Sequence, residues 1–469
     1  MTPQRHLRRH FTTRATRRNL LKGSLATGAG LALAGSGRRG FDVIGAQTPG
    51  AFDRDASIVS WGFGVNNPLA TARVEAFQEA YPTIETEFVP ELDDQKILTA
   101  AASGTLPDLL WLDRVDMASW AERGVVTPLD ECIEQTGINP DDYYEAAINE
   151  VTYDGQIYGI PGGMDVRALY VNLDALDEIG VDGTSLDTSD WDMLSDLGEQ
   201  LVQREGDQIT RWGFDNKLQA GYLWLWGLGN GGSFFNEDGT EATYDNEKVV
   251  DALQWGVEAF ERQGGFQDYE AVATTWQGDE QFARGQVAMT MYESWMLGIL
   301  ARVAPDMNFA VLPIRERGSG PDGPMVSFTG GRAWAIPEGA SDPEAACQFI
   351  AFMHTLDTWM IGARARKEAA LAEGGYYIPA LTAHRQADLQ QIEELYEPIS
   401  PNVDAAVRLF PELLDASVNR PVSVSPASAQ LEDLLTEVGT MPALRGERSP
   451  EESLAQADQE AQEAIEEFG

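Results

Sequence analysis

The chain has 469 residues, with 75 Asp and Glu against 33 Lys and Arg and a net charge of −42. A surface this acidic repels phosphate backbones and anionic lipid headgroups, which excludes nucleic-acid binding and membrane attachment through a basic patch. With 43% hydrophobic and 9% aromatic residues the chain reads as folded, and it is long enough for two cores, because single cores stop growing at roughly 250–300 residues.

Residues 1–46 hold nine of the 33 basic residues and one acid, Asp42. Arg5, Arg8, Arg9 and Arg14 precede Thr16-Arg17-Arg18-Asn19-Leu20-Leu21-Lys22, and a mildly apolar stretch follows from Leu20 to Ala34. That stretch is too short for a membrane span, which takes about 20 residues, so it reads as an export signal rather than an anchor. The paired arginines ahead of it resemble a twin-arginine signal, with Ile44-Gly45-Ala46 as the cleavage region before Gln47. Without residues 1–46 the balance becomes 24 basic against 74 acidic, a net of −50. No Cys near the leader is available to carry a lipid, so attachment at the cell surface needs another source. Cys132 and Cys347 admit either one disulfide in an oxidising compartment or two buried thiols.

Ser57–Trp61 reads as a strand, Pro68–Ala80 as a helix with Ala70, Val74 and Phe77 on one face, and Ile84–Val89 as an alternating strand. Asp94–Ser103 is a second helix stopped by Gly104, and Pro107–Leu112 is the nearly all-apolar strand of a buried parallel sheet. A helical stretch at Ser119–Glu134 precedes a hairpin, Tyr153-Asp-Gly-Gln-Ile-Tyr-Gly-Ile-Pro161, whose Asp154-Gly155 turn supplies positive φ. The strand Val166–Asn172 runs into the helix Leu173–Ile179, and Trp191–Val202 is another helix. Further helices are expected at Asn246–Gln263, Thr275–Gly285, Pro343–Met353, Ala387–Tyr396, Asn402–Val418 and Ser449–Phe468. Strands alternating with helices make an α/β protein that binds ligands at strand C-terminal ends. No repeat or Pro/Gly linker divides the chain, so two lobes must share it by crossing back and forth.

Gly227-Leu-Gly229-Asn-Gly231-Gly232 matches a dinucleotide fingerprint on paper, but it precedes a second turn at Asn236–Gly239, which favours a loop and hairpin. Beyond the leader only His354 and His384 remain, with no nucleophile motif and no metal-ligand spacing, so no catalytic residue, metal or cofactor is expected. A paired-carboxylate glycosidase stays open, since 75 acids always offer some pair. What stands out is Trp beside polar neighbours, as at Trp111/Asp113 and Glu293/Trp295. Indoles stack on the C–H faces of sugar rings while carboxylates, amides and guanidinium groups take the hydroxyls.

Pro107–Asp113, Tyr153–Pro161, Asp165–Asn172, Phe282–Trp295 and Gly330–Phe349 together resemble the family 1 extracellular solute-binding proteins, the maltose-binding-like receptors of ABC sugar transporters. They stand in family order and cover most of residues 57–360. The resemblance implies a two-lobed periplasmic-binding-protein-like fold of type II, α/β in class, each lobe a sheet flanked by helices. Residues 47–168 plus 312–355 would form the first lobe, and 169–311 plus 356–469 the second. Crossings are implied near Asp165–Leu169, Asn308–Pro313 and His354–Trp359. It implies a monomer, periplasmic or held at the cell surface, that takes a carbohydrate between its lobes and delivers it to ABC transporter permease subunits. The implied contacts are Trp61, Asp113, Asp165, Arg167, Trp224, Glu293, Trp295, Gly331 and Arg332. An interlobe salt bridge is an equal reading of Arg167. A same-fold receptor for a glycerol-phosphate-type or amino-sugar solute, and a secreted glycoside-cleaving enzyme, remain alternatives.

Overall fold

The first two helices begin where side chains cap their free amides. Asn67 accepts from the Ala70 amide ahead of Pro68–Ala80, and Asp93 accepts from the Lys96 amide ahead of Asp94–Ser103. The second helix stops on Gly104 in the left-handed conformation, φ 66°. The structure, a computed structural model, describes residues 52–236, 239–274, 280–418 and 425–468. The leader read at residues 1–46, and the first part of the helix expected over Thr275–Gly285, lie outside these residues.

Two larger sheets organise the described chain. In the first, Ile84–Val89, Ala56–Trp61 and Leu109–Asp113 run parallel, and Arg332–Ala335 returns antiparallel beside Leu109–Asp113 with Ile160–Pro161 at its far side. One face packs Ile97, Leu112, Met117 and Trp120, and the other packs Phe77, Phe349 and Ile350. In the second sheet Asp165–Asn172 lies between Phe309–Leu312 and Val287–Glu293, followed by Gln208–Asp215 and Gln203–Glu205. Its core holds Trp191, Trp226 and Trp255 with ring centroids 4.6–5.1 Å apart, closed by the C-terminal helix through Ala457, Ala461 and Ala464.

The chain passes between the sheets over very few residues. Pro161 ends a strand of the first sheet and Asp165 begins one of the second; on the return, Gly330 pairs with Asp165 and Arg332 pairs with Asp113. The crossing expected near Asn308–Pro313 is therefore displaced: Phe309–Leu312 lies wholly in the second sheet, and the return occurs at Gly330–Arg332. The third passage is displaced too. His354 caps the helix Pro343–Met353, and the next helix, Leu356–Ala372, stays against Pro68–Ala80, because Gly362 leaves room for the buried Arg73 side chain and the Leu69 carbonyl. Residues up to Tyr396 continue on the first sheet's side, where Leu381 and Ala383 carbonyls accept from the Met164 and Tyr144 amides. Pro401–Ala416 then packs on Phe309–Leu312.

Cys132 and Cys347 form a disulfide joining helices Asp130–Thr136 and Pro343–Met353. A bridge closing so long a loop restricts the unfolded chain strongly. Cys132→Ser is expected to lower the unfolding free energy by about 2–4 kcal/mol, read from urea denaturation. An unchanged midpoint would show that the bridge adds nothing.

Candidate ligand-binding site

The strand directions determine what meets between the sheets. Ala56–Trp61 and Leu109–Asp113 are parallel, so Trp61 and Asp113 emerge at one edge, and the register Arg332↔Asp113 brings Arg332 there. In the second sheet Asp165 begins its strand where the antiparallel Val287–Glu293 ends, since Glu293 pairs with Arg167, and Gln208–Asp215, parallel to Val287–Glu293, ends at the same edge. Because the connections at 162–164 and at Gly331 are so short, the two edges face each other.

Gly331 is the tightest point. It has φ 134°, and a Cβ there would lie 2.1 Å from the Gly163 carbonyl and 2.7 Å from Arg114 Nη1. Only glycine lets the two crossing segments approach this closely. Beneath them Arg114, 1% exposed, donates through Nη1 to Gly163 O at 2.5 Å, through Nη2 to Gly330 O at 2.8 Å and through Nε to Glu150 Oε2 at 2.8 Å. Neither Arg114 nor Glu150 was singled out from the sequence.

On the first edge Arg332 Nε meets Asp113 Oδ1 at 3.3 Å, both side chains more than 40% exposed, and Arg332 Nη1 reaches Gly62 O at 3.5 Å. On the second edge Arg167, 1% exposed, donates to Asp165 Oδ1, lies 3.6 Å from Glu293 Oε1 and rests 4.0 Å from the Phe328 ring centroid. Glu293 is as buried as Arg167, whereas Asp165 keeps a partly open carboxylate. Trp295, 37% exposed, meets the Tyr292 ring edge-on at 5.0 Å.

The structure thus brings together Asp113, Asp165, Arg167, Glu293, Trp295, Gly331 and Arg332. Arg167 and Glu293 lie behind Asp165, a correction to their reading as direct contacts. Trp61 reaches the edge, but Lys96 covers its ring at 4.0 Å, and the indole lines a surface hollow of about 440 Å³ with Thr99 and Ser103. Trp224 is corrected outright: it is fully buried, 4.2 Å from the Phe234 ring, and offers no face to a ligand. The adjoining glycines stand at the C-terminal end of the helix Leu223–Gly229, not at a helix start. Carbonyls, not amides, point outward there, which disfavours a phosphate. A larger hollow of about 790 Å³ lies against the C-terminal helix, lined by Gln459, Glu460 and Glu463, and shares no residue with the strand-end group.

The two histidines are structural. His354 Nδ1 lies 3.0 Å from the Tyr143 hydroxyl, and burial pushes its ring well below the ordinary value, with Arg73 and His384 adding to the effect. Arg73 itself, its guanidinium 3.5 Å over the Trp359 ring, is pushed down to about 9 by burial.

Comparison with known proteins fits this geometry. The profile of the bacterial extracellular solute-binding proteins matches residues 72–385. The chain belongs to that family. This solute-binding protein is 27% identical over 329 residues to the arabinooligosaccharide-binding protein of Halalkalibacterium halodurans, covering 66% of this chain and 69% of the relative. It is 21% identical to the lactose-binding protein of Rhizobium radiobacter, over 66% of this chain and 72% of that one. Among solved structures, an ABC substrate-binding protein of Listeria monocytogenes in complex with cycloalternan superposes with a TM-score of 0.71 at 19% identity, covering 88% of this chain and 99% of the other. A solute-binding protein of Thermotoga lettingae bound with α-D-tagatose gives 0.68 at 20% identity, over 88% and 100%. These likenesses establish the two-lobed fold of the solute-binding protein.

Proposed function

We propose that this protein captures a neutral carbohydrate between its lobes and delivers it to the permease of an ABC transporter, without chemical change to the sugar. The carrying observation is the exposed Trp295 indole and the partly open Asp165 carboxylate at the strand ends of one sheet, with the Asp113–Arg332 pair at the strand ends of the other and Gly331 in the short connection between them. An apolar ring face flanked by hydrogen-bonding groups suits a pyranose or furanose. The relatives named for arabinooligosaccharide and lactose support the same class. Asp113, Asp165 and Arg332 would contact hydroxyls, Trp295 would stack, and Gly331 would allow the lobes to approach as they close. Arg167 and Glu293 would hold Asp165 in place.

The phosphate-bearing alternative is disfavoured because three cations of the two edges already have carboxylate partners: Arg332 with Asp113, Arg167 with Asp165 and Glu293, and Lys217 with Asp215. An anionic ligand would have to displace one of them. We place the lobe division at the short connections, with 47–164 plus 331–396 in the first lobe and 165–330 plus 397–469 in the second. The twin-arginine leader supports export by that route, and the protein is read as a monomer acting outside the cytoplasmic membrane.

Isothermal calorimetry with arabinotriose, lactose, maltotriose and mannobiose tests the reading, with each sugar recovered and weighed by mass spectrometry. Tight binding with the sugar intact supports it; cleavage would make the protein a glycosidase, and no binding to any of the four would overturn the carbohydrate reading. Trp295→Ala is expected to weaken the best ligand about tenfold, the loss of one aromatic platform, with little change in melting temperature. Equal affinity would remove Trp295 from the site.

A further inference from the structure

Lys217 was not singled out from the sequence, and its backbone is the first sign of a role. It adopts φ 61°, ψ 23°, a left-handed conformation that costs a non-glycine residue of order 1 kcal/mol. Among the described residues two others share a positive φ: Asp154 in its hairpin turn, and the fully buried Ala383. Lys217 alone of the three stands just beyond a strand end at the candidate site.

The turn folds the lysine back over its own strand. Lys217 Nζ lies 2.7 Å from Asp215 Oδ2, and Asp215, which is fully buried, also accepts from the Lys217 amide at 3.0 Å, Gln219 Nε2 at 3.0 Å and the Tyr269 hydroxyl at 2.8 Å. The ammonium is therefore tied to a rigid, saturated anchor. Asp215 is its one ion partner among the described residues, and an ammonium carries three donors. It lies 5.3 Å from the centroid of the Tyr292 ring, the ring against which Trp295 packs edge-on. Thr290 pairs with Asp215 in parallel strands, so Lys217 and Trp295 leave the sheet at the same edge.

We infer that Lys217 is a specificity-determining donor of the second lobe, holding one hydroxyl or the ring oxygen of the sugar that stacks on Trp295. This rests on the carbohydrate reading. Since Asp215 balances its charge, Lys217 supplies a directional donor without net attraction for anions. A fixed donor selects among sugars by the position of a hydroxyl, because an epimer that misplaces the group loses the bond while stacking is kept.

Lys217→Asn tests the role, because asparagine tolerates the left-handed backbone. Calorimetry with arabinotriose, lactose, maltotriose and mannobiose is expected to show at least a tenfold loss for the sugar the wild type prefers, and smaller ratios between that sugar and the others. Affinities within twofold of wild type, with the ratios unchanged, would overturn the assignment. Lys217→Arg keeps the ion pair with Asp215 and covers the case in which the asparagine variant does not fold: the same ratios are expected to shift, and unchanged ratios would again overturn it. If the wild type binds none of the four sugars, the carbohydrate reading itself fails, and this inference with it.

Discussion

Replacing Glu150 by Ala is expected to lower the unfolding free energy by about 3–5 kcal/mol, the cost of leaving a buried charge without its counter-ion. Arg114 and Glu150 are 1% and 2% exposed, and three of the guanidinium's nitrogens are committed, to Glu150, Gly163 O and Gly330 O. Without Glu150 the cation would keep two carbonyl partners and no carboxylate, while Thr329 Oγ1 would lose the acceptor it meets at 3.2 Å. The effect should reach beyond stability, because those carbonyls belong to the two segments that pass between the lobes. Urea denaturation at neutral pH measures the loss. Arg114→Met combined with Glu150→Ala should recover part of it, since removing both charges removes the unpaired one. A loss under about 1 kcal/mol would mean that water reaches Arg114 and that the pair is not the anchor of the crossing.

Asp388→Asn is expected to change the pH dependence of stability by about 4 kcal/mol between pH ~4 and ~7. The carboxyl is 1% exposed, and burial pushes it from 3.8 up to about 7, although Oδ1 accepts from the Thr382 amide at 2.8 Å and hydroxyl at 2.7 Å. Within that window the native state holds the proton and the unfolded chain does not. The contribution is therefore complete below the unfolded value, is lost as pH rises to about 7, and changes no further above it. His354 and His384 act in the opposite sense: burial pushes both below 6.5, so their contribution is present above that value and is lost as pH falls. The difference between variant and wild type cancels the histidines, and asparagine keeps the acceptor for Thr382. That difference should rise with pH across the window in the variant's favour. A flat difference would show that Asp388 is ionised in the native protein.

Several strands and helices of the first lobe were legible because local signals agreed, but the helix Leu356–Ala372 was not expected, and the stretch read as helical over Ser119–Glu134 is two helices, Met117–Glu122 and Asp130–Thr136. Pro68–Ala80, Asp94–Ser103 and Pro343–Met353 begin and end where the capping residues and periodicity place them. The family, and with it the two lobes, was legible from the ordered motifs. The short helices Leu223–Gly229 and Met296–Val303 were missed, since one is glycine-rich and the other apolar nearly all round. The helix expected over Thr275–Gly285 is not borne out in its described part, where Gln281–Gly285 form turns. At the site, most of the residues read from motifs stand at the strand ends between the sheets and Trp224 does not, because side-chain burial is set by long-range packing. A Trp of the core, such as Trp224, has the same neighbours in sequence as one that faces solvent. Arg114 and Lys217 act through partners that sequence spacing does not reveal: the carbonyls Gly163 and Gly330 for one, and a backbone turned back on Asp215 for the other.

The return of the chain to the first sheet bears on how the protein is made. Arg332 is separated from its neighbour Asp113 by 219 positions, and a ribosome adding roughly 5–20 residues per second needs about 10–45 s to cover that distance. Throughout that interval Leu110 and Leu112 have no Ala333 and Ala335 beside them, and Leu109–Asp113 presents an unpaired edge of apolar residues. The second sheet's strands are all synthesised within the same interval. The sheet that begins first is thus closed only after every strand of the second has been made, and the nascent chain carries an open strand edge that a chaperone must cover or that rapid completion of synthesis must outrun.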